Sequence, residues 1–228
     1  MTSPIPIPTT CPILIDSSGE PYLPIPSHPE LKLTMRKESD IDDLLVLFNT
    51  PEIGKWFWRR PFPYKASDAG VFMSPIPRFS AYLTTTLLPS LPSPPSPPLP
   101  HAENFFPFCV LRTASNDKMI GIVFLSPADE DKGGEEGIWE LAYDLLPAWW
   151  GKGVGSGMIN AGLEYMKWIG GKKIIAFHEP ENAASGAVLY KTGFMRVGDK
   201  KLVWPEEKGG GERVVYGWEK SLVETIAP

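Results

Sequence analysis

The sequence predicts a mixed α/β domain built on one sheet, and three observations carry that expectation. Residues 106–113 and 118–126 read as two strands of a hairpin joined near Ser115, Asn116 and Asp117. From Ile138 onward, strand and helix patterns alternate in the order β–α–β–α–β–β. The first strand and first helix of that series are joined by a loop with glycine at 151, 153, 155 and 157.

The elements follow in order. Residues 1–30 hold eight prolines. Each removes a backbone donor and fixes φ, so the stretch reads as an extended arm lying on the domain, not as sheet interior. Leu31, Leu33 and Met35 then alternate with Lys32, Thr34 and Arg36, the period of a strand with one buried face. Ser39 is the expected N-cap of a helix, with Asp42 three residues on, and Ile41, Leu44, Leu45, Leu47 and Phe48 follow at helical spacing. Pro51 stops that helix. Seven of the twelve residues 89–100 are proline, which predicts a polyproline-type surface insertion over 89–103.

In the second half, 138–146 is a strand and 155–169 a helix, with Ile159, Leu163, Met166 and Ile169 on one face. A short buried strand at 173–177 leads to a helix at 183–192 closed by Gly193. Strands at 194–203 and 213–220 end the pattern. The resulting division is an arm (1–30), a single domain (31–222) and a tail (223–228).

Composition narrows the function. With 43% hydrophobic and 21% charged residues the chain is ordinary for a globular protein. The net charge of −5 and the lack of a dense basic stripe argue against a nucleic-acid partner. A mildly acidic surface suits a cationic substrate through steering. No apolar run is long enough to span a membrane, and no basic segment followed by an apolar run opens the chain, so the expected location is cytoplasmic. Cys11 and Cys109 are too few for a disulfide framework or a zinc site, so no metal is expected. Cys109 lies in an apolar run and reads as a buried, inert thiol. A homodimer is compatible with this composition, as is a monomer.

The loop between strand and helix carries the chemistry. Its glycines let backbone N–H groups approach an anion, and the positive end of the following helix attracts one. A Walker loop fails because Lys152 is followed by Gly153, and the dinucleotide fingerprint fails because its third glycine falls on Ser156 or Met158.

Trp150-Gly151-Lys152-Gly153-Val154-Gly155 resembles the pyrophosphate loop of the GNAT superfamily of acyl-CoA N-acyltransferases, Gln/Arg-x-x-Gly-x-Gly/Ala, with Trp150 departing from Gln/Arg. The same Trp-Gly-Lys-Gly start is familiar in the branch of ribosomal-protein N-acetyltransferases, the RimJ/RimL-like group. Leu31-Lys-Leu-Thr-Met-Arg36 is similar to that branch's opening strand, and Glu140-Leu-Ala-Tyr-Asp-Leu-Leu-Pro147 to its fourth. Glu181-Asn-Ala-Ala-Ser185 and Leu189-Tyr-Lys-Thr-Gly-Phe194 resemble its Asn-x-x-Ser and Leu-x-Lys-x-Gly-Phe segments. The resemblance runs from about Leu31 to Lys220, outside the proline-rich insertion. It implies a mostly antiparallel sheet flanked by helices and splayed between strands four and five, with acetyl-CoA in the splay.

The activity implied is transfer of an acetyl group from acetyl-CoA to a primary amine, on a small molecule or a protein N-terminus or lysine, by direct attack in a ternary complex. The alternative is a non-catalytic acyl-CoA-binding module. An ammonium with pKa near 10.4 must lose a proton before it attacks, and a carboxylate can take it. By the resemblance, Glu140 is the first candidate for that role, on the strand before the loop, and Asp144 is the second. The resemblance gives Tyr190 as the acid that protonates the departing thiolate, with Ser185 as another donor. It assigns cofactor binding to Asp144, Leu145, Leu146, the loop residues Trp150, Gly151, Lys152, Gly153, Val154, Gly155 and Ser156, and to Asn182 and Tyr190. A backbone N–H near Leu145 would face the oxyanion. Asn182 has a competing role as a helix N-cap. Trp56, Phe57, Trp58, Arg59 and Arg60, with the turn before the last strand, are the expected acceptor-binding elements.

Overall fold

The computed structural model describes residues 10–58, 60–95, 106–128 and 137–223. Arg59, most of the proline-rich insertion and nearly all of the C-terminal tail lie outside the described residues. The described strands form one sheet in the order β1-β2-β3-β4-β5-β6-β7-β9-β8. They are β1 (Leu14–Ile15), β2 (Pro21–Pro24), β3 (Leu31–Thr34), β4 (Val110–Thr113), β5 (Met119–Pro127), β6 (Ile138–Leu145), β7 (Lys173–His178), β8 (Met195–Val203) and β9 (Glu212–Ser221). All neighbours pair antiparallel except β6 and β7, which run parallel.

The stretch read as an arm supplies β1 and β2 at one edge of the sheet. Pro21 and Pro24 sit at the ends of β2, where a missing donor costs least, and Leu23 and Ile25 are buried. β4 is shorter than the 106–113 expected; Pro107 removes a ladder donor upstream of it.

Ser39 is not the N-cap of the first helix. It lies inside a 3₁₀ turn, Glu38–Asp40, that runs into α1 (Ile41–Asn49). Asp40 holds the N-cap position of α1 without a side-chain cap bond; its Oδ2 instead accepts from the Lys37 backbone N–H at 2.7 Å and closes the 3₁₀ turn. The same carboxylate takes two bonds from the Arg112 guanidinium, at 2.6 and 2.7 Å, with both side chains about 2% exposed. A buried charge needs such a partner, which fixes Asp40 at this place.

The segment after α1 is helical where the sequence pattern offered no helix. It holds α2 (Pro51–Gly54), α3 (Gly70–Met73) and α4 (Ile76–Tyr82), continued by a π turn over Leu83–Leu87 and by α5 (Leu88–Ser90). Phe72, Phe79, Leu83 and Leu87 are buried. Phe72 and Phe79, with Phe124 of β5, enclose the Arg36 guanidinium at 4.5, 5.1 and 5.8 Å.

The long helix α6 (Val154–Trp168) buries Met158, Ile159, Leu163, Tyr165 and Met166 in the main core. The second, α7 (Ala183–Lys191), follows β7. Cys109 is fully buried, and burial pushes its thiol up, as expected of an inert cysteine.

β6 and β7 pair only from Ile138↔Lys173 to Leu141↔Ala176, yet β6 continues to Leu145 and β7 to His178. β6 meanwhile stays paired with β5 as far as Leu145↔Gly121. The sheet therefore opens between β6 and β7, the divergence expected of strands four and five; β1 and β2 account for the shift in numbering.

Candidate active site

A cleft of about 710 Å³ occupies this opening. Strand alternation sends neighbouring β6 side chains to opposite faces. Asp144 bonds Arg60 on one face, so Glu140 and Ala142 share it; Tyr143 bonds Ser185 of α7 on the other, with Leu141 and Leu145. Glu140, Asp144, Tyr143 and Ser185 all line the cleft.

At one end lies the glycine loop. Gly153 adopts φ +81 as the N-cap of α6, a conformation that costs a residue with a Cβ, and among the described residues no side chain caps the helix. The first-turn N–H groups of α6 are thus available to an anion. Gly151, Gly153, Gly155, Ser156 and Trp150 line the cleft. Val154 is 1% exposed with its side chain in the core, so only its backbone serves the loop. Lys152 is outside the lining, its Nζ 5.7 Å from the Trp149 ring centroid. Trp150 supplies a polar contact of its own: its indole N–H donates to the Leu145 carbonyl at 2.6 Å.

Leu145 lines the cleft; the Leu146 N–H is engaged by the Ile120 carbonyl at 3.0 Å and does not face it. Asn182 lines the cleft and caps α7, its Oδ1 accepting from the Ser185 N–H at 3.2 Å. Tyr190 is placed elsewhere. It is 74% exposed on α7 and does not line the cleft, whereas its neighbour Leu189 is buried there. The phenol that the fold brings into the cleft is Tyr143, whose oxygen lies 2.9 Å from Ser185 Oγ and 3.2 Å from the Ser185 carbonyl. Burial pushes this phenol up to about 12. Tyr143 was not singled out by the sequence; the period-two pattern Leu141, Tyr143, Leu145 is the signal that could have found it.

At the other end, Trp56, Phe57 and Trp58 line the cleft with Arg60, Phe177, Glu179 and Trp204. Trp58 stacks on Trp204 at 6.0 Å and joins the loop after α2 to the β8–β9 hairpin. Arg60 Nη1 binds Asp144 Oδ2 at 2.5 Å. Its guanidinium rests on Phe48 and Phe57 at 4.3 and 4.7 Å. Trp204 falls in the turn before the last strand, which was expected to help set acceptor specificity, whereas Phe177 and Glu179 were not singled out by the sequence, since they reach the cleft at the end of β7 where it diverges from β6.

Among the described residues, no three His, Cys, Asp or Glu side chains cluster to hold a metal ion, and no helix is long and apolar enough to cross a membrane.

Comparison with known proteins places this geometry. Residues 30–195 match the family described as the acetyltransferase (GNAT) domain. No curated protein sequence matches the chain. Several solved structures share the fold. One is a ribosomal-protein-S5-alanine acetyltransferase from Vibrio fischeri, with 18% identity, TM-score 0.62, and coverage of 87% of this chain and 96% of that one. Another is a spermidine N-acetyltransferase from Vibrio cholerae in complex with CoA and spermine, with 18% identity, TM-score 0.57, and coverage of 85% and 96%. A third is a phosphinothricin acetyltransferase from Sinorhizobium meliloti in complex with AcCoA, with 15% identity, TM-score 0.59, and coverage of 87% and 92%.

Proposed function

Because the chain belongs to the GNAT acetyltransferase family, we propose that it transfers an acetyl group from acetyl-CoA to a primary amine by direct attack in a ternary complex. The observation that carries the reading is the cleft at the β6–β7 divergence, with an uncapped helix N-terminus at one end and Glu140 on the acceptor-side face. The residues fit the cosubstrate: Gly151, Gly153, Gly155 and Ser156 offer backbone donors for a pyrophosphate, and β6 beyond Leu141 offers a strand edge that β7 leaves open.

The amine nitrogen forms the new C–N bond as the C–S bond breaks. Glu140, directly or through water, takes the amine proton. Asp144 serves structure instead, holding Arg60. Ser185, across β6 from Glu140, supports the role of hydrogen-bond donor to the departing sulfur better than Tyr190, which is exposed and outside the cleft. Glu52, Glu140, Asp144 (paired with Arg60) and Glu179 (paired with Arg213) line the cleft with aromatic walls and outnumber the lining cations Arg60 and Lys191, which favours a cationic amine.

The test is calorimetric titration with acetyl-CoA, with ATP and NAD as controls and Gly153→Asp beside the parent. Thiol release is then followed with spermidine, an alanine-led peptide and phosphinothricin as acceptors. Selective binding lost in Gly153→Asp, with amine-dependent thiol release, is expected. Absence of acetyl-CoA binding would sink the reading, and binding without turnover on a broad amine panel would favour an acyl-CoA-binding module.

A further inference from the structure

We propose that Tyr143 is a positioning residue that aims the Ser185 hydroxyl at the departing sulfur, an inference that rests on the acetyl-transfer reading above. Tyr143 has one hydroxyl proton and two acceptors within reach, both on Ser185: the Oγ at 2.9 Å and the carbonyl at 3.2 Å. Two arrangements exist. In one, the phenol donates to the carbonyl and Ser185 donates to the phenol, so the serine proton is withheld from the cleft. In the other, the phenol donates to Oγ and the serine proton turns outward. A negative charge developing on sulfur in the cleft selects the second arrangement, because only there does it gain a donor.

The backbone holds both partners for this. Ser185 lies in the first turn of α7, where its own N–H is tied to Asn182 Oδ1, and Tyr143 projects from β6 onto that turn. Ser185 Oγ has no other hydrogen-bond partner among the described residues; without Tyr143 its rotor would be unrestrained. The proton balance is simple. The C–S bond breaks with its electron pair going to sulfur, Ser185 keeps its proton and donates a hydrogen bond to the thiolate, and solvent supplies the proton that the sulfur takes up as coenzyme A departs. A phenol pushed up to about 12 by burial remains a donor at working pH. Tyr143 and Glu140 are three residues apart on one strand and on opposite faces, so β6 separates the carboxylate that takes the amine proton from the hydroxyls that meet the sulfur.

The test needs no knowledge of the acceptor. Free coenzyme A is bound to the parent, Tyr143→Phe, Ser185→Ala and the double variant, and the thiol is titrated by its ultraviolet thiolate absorbance. In the parent, the bound thiol should ionise at lower pH than in free coenzyme A. Each single variant should raise its midpoint by about one unit, the tenfold effect of one hydrogen bond to a charged atom, and the double variant should raise it no further. Additive shifts, or a midpoint that Tyr143→Phe leaves unmoved, would overturn the proposal. If Tyr143→Phe fails to fold, Ser185→Ala alone decides. A midpoint still depressed in that variant would mean that the phenol reaches the sulfur unaided, whereas a return to the free value supports action through serine. Failure of the parent to bind coenzyme A would instead remove the acetyl-transfer reading, and this one with it.

Discussion

Arg60 and Asp144 are joined by a 2.5 Å ion pair that ties the aromatic loop after α2 to the strand at the centre of the cleft. Phe48 and Phe57 back the guanidinium, and the two charged side chains are 28% and 14% exposed. Removing one partner leaves a half-buried charge. Asp144→Asn should therefore lower unfolding free energy by about 1–3 kcal/mol, below the cost at a fully buried pair because solvent screens this one. Urea denaturation of Asp144→Asn, Arg60→Met and the double variant measures it. The double variant should lose less than the two singles added together; strict additivity would show that the pair is not coupled.

Glu140 shares its face of β6 with Asp144 but has a different expected role. Glu140→Gln should cut kcat by about 10²- to 10⁴-fold while leaving acetyl-CoA affinity unchanged, the pattern of a lost general base. Binding and turnover measured on the same preparation separate the two. A variant that keeps full turnover would move the base elsewhere.

Gly157 ties the N-terminal strands to the cofactor loop. A Cβ built there lies 2.8 Å from both Ile25 Cγ2 and Ser27 Oγ, closer than packed atoms tolerate. Gly157→Val should thus cost about 1–3 kcal/mol through overpacking and weaken acetyl-CoA binding by disturbing the first turn of α6. Thermal unfolding and titration check the two effects. Unchanged stability would mean that the segment through Ser27 yields freely.

The parts of the fold with strong periodicity were legible in the sequence. The alternation in 31–36, the amphipathic face of α6 and the glycine spacing each report a local constraint, and each stands within a residue or two of its expected place. The helices between Pro51 and Ser90 were not legible, because they are short and broken by proline; their apolar residues pack on the Arg36 side of the sheet instead of repeating at one period. Tyr190 and Tyr143 show the same limit within the site. A local motif located a tyrosine beside α7's end, but which phenol enters the cleft depends on helix rotation against β6, a property of packing. Likewise Trp204 meets Trp58 only because β8 and β9 fold back beside β7.

His178 makes stability depend on pH in a predictable direction. It is 8% exposed at the end of β7, stacked on Trp218 at 5.9 Å and edge-on to Tyr216 at 5.6 Å. Its Nδ1 lies 2.7 Å from the Glu179 carbonyl and so carries the hydrogen, while Nε2 is buried, has no hydrogen-bond partner among the described residues and faces Gly186. Protonation would place a charge at that nitrogen. Burial, with Arg196 nearby as a second cation, holds the imidazole below its ordinary value near 6.5. The unfolded chain thus binds the proton more readily than the folded one, and this contribution to stability is full above about pH 6.5 and is lost as pH falls toward the folded value. His178→Phe should flatten the stability profile across that window while preserving the stack on Trp218. Nitrogen-15 spectra of the parent across this range should show the ring titrating at lower pH than in the unfolded chain, its neutral form carrying the hydrogen on Nδ1. A midpoint at or above the unfolded one would overturn this account, and an unaltered slope in His178→Phe would assign the pH dependence to other groups.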